Sequence, residues 1–350
     1  MKAVVFHGNE DIRLETVPDP VMMHPADALV RVTTSSICST DIHIKHHGMQ
    51  MQVKPGTILG HEFVGVVEET KKGNGQFKRG DRVAVSCTYS CGNCYYCRAQ
   101  LASQCPAGAC FGAMGDGTNH GAHARIIRVP HAFRIMHKIP DELSDEDVLF
   151  VGDILSTGLF GVELGDVKKG DAVIVCGAGP VGLCAMLIAR LYGASKIIAL
   201  EMNKHRADMI FRLGLADHVI HPSDEKPSKI VKDLTYGRGA DVVIDATGDH
   251  ENFDSIFNFV RPGGRVALIG VYNDPVRFSI YKYWWKNLTI RTGLVETGKM
   301  GLLMEWIRQG RINTRFLISQ TLSFDDIMNG YDMMDNKSPQ TLKVAVKATG

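Results

Sequence analysis

From Asp171 onward the chain alternates short apolar runs with amphipathic stretches, and this rhythm leaves its second half very few folds to adopt. The runs AVIVCG, KIIALE, DHVIH, DVVIDATG, RVALIG and NLTIRTG read as strands. Helices are expected to begin near Pro180, Asn203, Lys226 and Asn252, with Gly193, Gly214, Gly239 and Gly263 as plausible stops. Continuous apolar strands separated by helices predict a parallel sheet covered on both faces, and six of them predict a doubly wound nucleotide-binding domain. The first strand runs into Gly177-Ala178-Gly179-Pro180-Val181-Gly182. Glycines at these positions permit a tight turn, close approach of a pyrophosphate and close helix–strand packing, and the helix N-terminus attracts the anion. Alone the pattern is weak, but here it has its strand and helix, and Glu201 ends the next strand. A carboxylate there accepts hydrogen bonds from a ribose diol and repels a 2′-phosphate, which favours NAD over NADP. Lys204 and Arg206 lie close by; either they make a phosphate tolerable or they are ordinary helix-surface charge.

The first half has a different period. The segments AVVF, ALVRVTT, GVVEE, GDRVAV and ARIIRV, separated by Gly, Pro and Asp, predict a mostly antiparallel β domain. Ser144-Asp145-Glu146-Asp147 reads as a capping box opening a helix. The stretch Glu69-Thr70-Lys71-Lys72-Gly73 predicts a slightly long turn. After about Gly293 come a helix (GLLMEWIRQG), another (FDDIMNGYDMM) and a strand (LKVAVKA). The expected fold is therefore α/β, with a β domain over 1–154, a dinucleotide-binding domain over 155–293 and a tail, 294–350, that returns to the first. Such a length suits about two domains. A net charge of +1 with no basic run leaves no electrostatic footprint for nucleic acid or a membrane surface. Residues 172–189 carry no charge, but their internal glycines and proline suit a strand, turn and helix better than a membrane span.

Four of the nine cysteines, Cys91, Cys94, Cys97 and Cys105, crowd into one short segment; Cys38, Cys87, Cys110, Cys176 and Cys184 are scattered. The N-terminal residues become charged too early for an export signal, so a reducing cytoplasm is expected and the cluster reads as metal binding. C-x2-C-x2-C-x7-C supplies four soft ligands, enough to close a tetrahedral structural zinc site over a lobe at about 91–105. An iron–sulfur centre is the rival, because Cys105-Pro106 also ends a ferredoxin-like run, but that run has a shorter last spacing. A third set is dispersed: Cys38, His61, Glu62 and Asp153. Thiolate, imidazole and carboxylate plus a water would make an open catalytic zinc site. By chemistry alone a core cysteine and a surface His-Glu pair are the commoner reading.

Cys38-Ser39-Thr40-Asp41-Ile42-His43, then Gly60-His61-Glu62-Phe63-Val64-Gly65, then the cysteine lobe, then GAGPVG, resemble in the same order the zinc-containing medium-chain alcohol dehydrogenases. The resemblance covers essentially the whole chain. It implies a GroES-like catalytic domain, a central Rossmann domain, two zinc ions per subunit, NAD, a small alcohol or carbonyl substrate and a homo-oligomer, a tetramer by analogy. It implies Cys38 and His61 as catalytic zinc ligands, Glu62 as an intermittent ligand or a partner behind the ligands, and Thr40 and His43 as a proton relay. The liver and yeast enzymes use a second cysteine as third ligand. None lies between Cys110 and Cys176, and Gly152-Asp153-Ile154-Leu155-Ser156-Thr157-Gly158 instead resembles bacterial secondary-alcohol dehydrogenases, in which the Asp is the ligand. A polyol or butanediol dehydrogenase is the near alternative; an iron–sulfur carrier and a non-catalytic zinc-binding module are remote ones.

Overall fold

The alternation after Asp171 folds as six parallel strands in one sheet. In this computed structural model, which describes residues 1–71, 76–113, 118–336, 338 and 340–348, that sheet belongs to the unit Thr157–Val295; the other unit comprises Met1–Ser156 and Glu296–Gly350. Across the sheet the strands run His218–Ile220, Lys196–Leu200, Ala172–Cys176, Ala240–Asp245, Val260–Leu268 and Thr289–Thr292, each parallel to its neighbour. Counted along the chain this is the order three-two-one-four-five-six, the doubly wound Rossmann arrangement whose crevice opens where the order reverses, beside the first strand. Ala172–Cys176 and Ala240–Asp245 are buried along their whole length, as central strands covered on both faces must be. Helices Pro180–Leu191, Lys204–Leu213 and Pro227–Leu234 follow the first three strands.

The fourth helix expected, near Asn252, is instead a six-residue 3-10 segment, Phe253–Asn258. Asp249 Oδ1 accepts the N–H groups of Glu251 and Asn252. Such side-chain bonds offer the backbone an alternative to helical pairing. The uncharged stretch 172–189 is a strand, a turn and a helix, and no helix among the described residues is long and apolar enough to cross a membrane.

In the other unit a sheet of seven strands runs Met136–Lys138, Arg82–Val85, Glu62–Thr70, Ala28–Ile37, Lys343–Lys347 and Ile318–Ser323, with Ile126–Val129 also paired to Ala28–Ile37. All pairs are antiparallel except the last, Ile318–Ser323 with Lys343–Lys347. Ile318–Ser323 is a strand that the sequence reading missed. A smaller sheet holds Asp11–Thr16, Lys2–Gly8 and Thr57–Ile58. Register decides what meets at one end of the large sheet. Ser36 lies opposite Glu62 and Ile37 opposite Val344, so the chain leaves its central strand into Cys38 just where His61, Glu62 and Lys343 arrive.

The capping box at Ser144 forms, with Asp147 N–H donated to Ser144 Oγ at 3.3 Å, but the helix it opens is only Asp145–Val148. It therefore does not carry Asp153, as the sequence reading supposed; Asp153 immediately precedes the next helix, Ile154–Leu164. Gly152 is pressed so closely against the end of Arg82–Val85 that a Cβ on it would lie 2.0 Å from the Val85 carbonyl oxygen. Cys87 N–H donates to Gly152 O at 2.9 Å. These two contacts carry Asp153 to the same end of the sheet. Of the turn expected over 69–73, Lys72 and Gly73 lie outside the described residues.

Candidate metal and dinucleotide sites

At that sheet end Cys38, His61 and Asp153 bring their ligand atoms within 4.8 Å of one another. Asp153 Oδ2 lies 3.6 Å from Cys38 Sγ and 3.4 Å from His61 Nε2. One carboxylate oxygen thus faces both the sulfur and the ring nitrogen. Behind His61, Asp41 Oδ1 lies 3.4 Å from its Nδ1, within ion-pair range though not in hydrogen-bond geometry. Asp41, wholly buried, accepts the N–H of Cys38 at 2.8 Å and that of Gly60 at 3.2 Å. Burial pushes the Asp41 carboxyl up, yet His61 and the Cys38 N–H outweigh it and hold the pKa at about 2. Burial disfavours charge on His61, but Asp41, Cys38 and Asp153 together raise its pKa well above the ordinary range. A buried pocket that pulls so hard on a proton is one that suits a cation. Sulfur, imidazole and carboxylate, one of each, fit the open three-ligand pattern of catalytic zinc.

Glu62 is placed differently. It is fully buried, and its Oε2 accepts a hydrogen bond from Lys343 Nζ at 2.6 Å, while Oε1 lies 3.5 Å from the Ile154 N–H. Burial works against the Lys343 charge, but Cys38, Glu62 and Asp153 raise its pKa above the ordinary lysine value. Thr40 and His43 stand one turn apart on the helix Ser39–His47, both half-buried, with Thr40 Oγ1 4.0 Å from Cys38 Sγ. The sequence reading gave no role to Asp41, Cys87 or Lys343. Asp41 had a signal, its place three residues after Cys38 in a capping box. The Cys87 thiol, kept protonated by burial, hydrogen-bonds Asp153; that contact and the Lys343 pair exist only in three dimensions.

Cys91, Cys94, Cys97 and Cys105 form the second cluster, again with all ligand atoms within 4.8 Å. Cys94 and Cys105 sulfurs are 3.9 Å apart. Backbone N–H groups aim at the sulfurs: Cys91 N to Cys105 Sγ at 3.3 Å, Gly92 N to Cys97 Sγ at 3.3 Å and Cys97 N to Cys94 Sγ at 3.5 Å. The N–H groups of Asn93 and Cys94 pull the Cys91 thiol down to about 6, toward the thiolate a metal needs. Four sulfurs with no open position suit a structural zinc. The short segment Ala102–Gln104 is tied down by Glu296, which accepts from the N–H groups of Ala102 and Ser103 at 3.0 and 2.9 Å.

In the Rossmann unit the glycine turn is built as a cradle. Gly177 has φ +85°, and a Cβ on Gly182 would lie 1.9 Å from the Gly177 carbonyl oxygen, so both positions require glycine. A Cβ on Gly179 would meet nothing within 4 Å, and this residue caps the helix begun by Pro180 and Val181 without a side-chain bond. That leaves open space in front of a helix N-terminus, where a pyrophosphate is favoured. Glu201 borders the same cavity, of about 580 Å³, with Arg206 and Thr247. Its carboxylate already accepts Ala178 N–H at 2.6 Å and Asn203 N–H at 2.7 Å. The Nε of Arg206 is buried without a partner.

A zinc-binding dehydrogenase family matches residues 180–308, and an alcohol dehydrogenase GroES-like domain family matches residues 24–141. The zinc-type alcohol dehydrogenase-like protein AdhB of Bacillus subtilis is 34% identical, over 99% of this chain and 100% of its own length. An alcohol dehydrogenase of Cupriavidus necator is 35% identical, over 99% of this chain and 98% of its own. The solved structure of alcohol dehydrogenase TADH from Thermus sp. ATN1 superimposes with a TM-score of 0.93 at 36% identity, covering 100% of both chains. Likeness of this extent in sequence and fold decides the matter: the chain belongs to the zinc-dependent medium-chain alcohol dehydrogenases.

Proposed function

We propose that the enzyme interconverts a small secondary alcohol and its ketone, or an aldehyde counterpart, using NAD and two zinc ions per subunit. The observation that carries this reading is the convergence of Cys38, His61 and Asp153 on one point while Glu62 is held by Lys343. Cys38, His61 and Asp153 would hold the catalytic zinc, with Glu62 beside them, and Cys91, Cys94, Cys97 and Cys105 the structural one. Gly177, Gly179, Pro180, Val181 and Gly182 would cradle the pyrophosphate, and Glu201 would accept the ribose hydroxyls. In this account the unit Thr157–Val295 is the dinucleotide-binding domain, and Met1–Ser156 with Glu296–Gly350 the catalytic domain.

Bound in these places, zinc supplies a Lewis acid that makes an alcohol easier to deprotonate and NAD supplies the hydride acceptor. The chain's own part is to orient and to move a proton. Asp41 and Cys87 fix the directions of His61 and Asp153. Thr40 stands beside Cys38 to accept a substrate hydroxyl proton, and His43, one turn further, passes it toward solvent. Nine cysteines with no disulfide among them suit a reducing cytoplasm. The edge strand Thr289–Thr292, exposed at all four residues, suits a homo-oligomer. A screen of NAD-linked oxidation across primary alcohols, secondary alcohols and diols tests the reading. Secondary alcohols should give the highest kcat/KM; a clear preference for diols would make this a polyol or butanediol dehydrogenase, and no turnover of any alcohol would overturn the function.

A further inference from the structure

The carboxylate of Asp245, at the end of the fourth strand of the parallel sheet, is completely buried. Its Oδ1 accepts the Thr247 hydroxyl at 2.7 Å, and its Oδ2 accepts the hydroxyl of Tyr272. These two partners sit on different loops, one after the fourth strand and one after the fifth. The backbone carbonyl of Asp245 also accepts the N–H groups of Ile269 and Gly270, at 2.9 and 3.0 Å. The loops meet backbone to backbone: a Cβ on Gly248 would lie 2.2 Å from the Val271 carbonyl oxygen, and one on Gly270 2.3 Å from the Gly248 nitrogen. Two glycines let the loops close, and the Tyr272 side chain fastens the later one to the strand end.

In a doubly wound sheet each half binds one mononucleotide, in the crevice beyond the carboxyl ends of the strands. The glycine turn and Glu201 follow the first and second strands, so they belong to one half; Asp245 and Tyr272 follow the fourth and fifth and belong to the other. Val271, 57% exposed, is carried on the fastened loop. A loop held in its bound shape before the ligand arrives loses less freedom on binding. We infer that Tyr272 is a positioning residue for the nicotinamide half of the cofactor: its hydrogen bond to Asp245 holds the loop 269–272 in the shape that this half binds. The inference rests on the NAD reading given above.

The test is ligand binding to the zinc-loaded enzyme by calorimetry, a readout independent of turnover. Tyr272→Phe removes the hydroxyl and keeps the ring, which lies edge-on to Phe253 with centroids 5.5 Å apart. The variant should bind NADH about tenfold more weakly, the scale of one hydrogen bond to a charged group, yet bind ADP-ribose, which lacks the nicotinamide ring, within about twofold of wild type. In the ligand-free enzyme the amides of 269–272 should exchange their hydrogens faster in the variant, while the Ala178 amide of the glycine turn keeps its wild-type rate. Equal weakening of NADH and ADP-ribose would make Tyr272 a general support of the unit rather than of one half. Unchanged NADH binding, or unchanged exchange in the loop, would remove the hydroxyl from positioning, and any of these results overturns the inference while leaving the NAD reading in place. A wild type that binds neither NADH nor ADP-ribose would instead sink the NAD reading, and the inference with it.

Discussion

Glu201 shows how a single residue can serve two demands at once. Its two oxygens already accept the N–H groups of Ala178 and Asn203, so it braces the glycine turn, and each oxygen keeps a lone pair that the proposed function gives to a ribose hydroxyl. Glu201→Ala should lower kcat/KM for NAD by about tenfold or more while leaving that for NADP equal or improved, since the unpartnered Arg206 then faces a 2′-phosphate without a rival charge. The same variant should be about 1–3 kcal/mol less stable, because the buried N–H of Ala178 and the part-buried N–H of Asn203 lose their acceptor. Steady-state kinetics with both cofactors and a denaturant titration check the two halves; a wild-type preference for NADP would remove Glu201 from cofactor choice. His43 belongs to the same scale. His43→Ala should leave zinc and NAD binding intact and slow alcohol oxidation about tenfold or more, most at low pH where proton removal is hardest. Small buffers should partly restore the rate, and a pH–rate profile indifferent to buffer concentration would take His43 out of the relay.

Among elements, the helix Ser39–His47 matters most, because it begins at Cys38 and is fastened again at its far end. His46 Nε2 lies 2.6 Å from Asp335 and Nδ1 2.5 Å from Glu10, while Lys45 Nζ is 2.7 Å from the same Asp335. The bond to Glu10 first, then that to Asp335, raises the His46 pKa above its ordinary value. A raised histidine adds stability that is complete below the unfolded pKa of about 6.5 and fades as pH climbs through the higher folded value. Wild type should therefore lose stability relative to His46→Gln as pH rises above about 6.5, by no more than about 1 kcal/mol for a half-exposed contact. Thermal melts of the two across that range measure it, and a constant difference would show that His46 carries no charge in the clasp. The cysteine lobe is the other element with its own test. Cys94→Ser should release about one zinc per chain and lower the unfolding midpoint, because a structural site contributes folding energy directly. Metal analysis after dialysis checks it, and iron with sulfide in an anaerobic preparation would contradict zinc in the lobe.

For the whole molecule, what could be read from the sequence was whatever repeats locally. The strand–helix period from Asp171 was enough to foretell the six-stranded parallel sheet, and the GxGxxG turn lies at its first strand. Tyr283 is buried against Phe257 and Phe278 in the core of that unit, whereas the neighbouring Trp284 and Trp285 are exposed. The edge strand Ile318–Ser323 escaped notice because half-exposed residues blur its alternation. At the candidate metal site the limit was distance along the chain. Cys38 and His61 announce themselves by motif, but the pairing of Glu62 with Lys343 joins residues 281 positions apart and arises only from sheet register. Likewise the pressure of Gly152 on Val85 that delivers Asp153 has no local signature. The account as a whole stands on there being two metal centres, one of which needs Asp153. The most direct measurement is zinc per chain, after dialysis, in wild type and in Asp153→Ala. The account predicts two in wild type and one in the variant, with the lobe zinc retained; two in both, with Glu62→Ala losing one instead, would contradict it and give the ligand to Glu62.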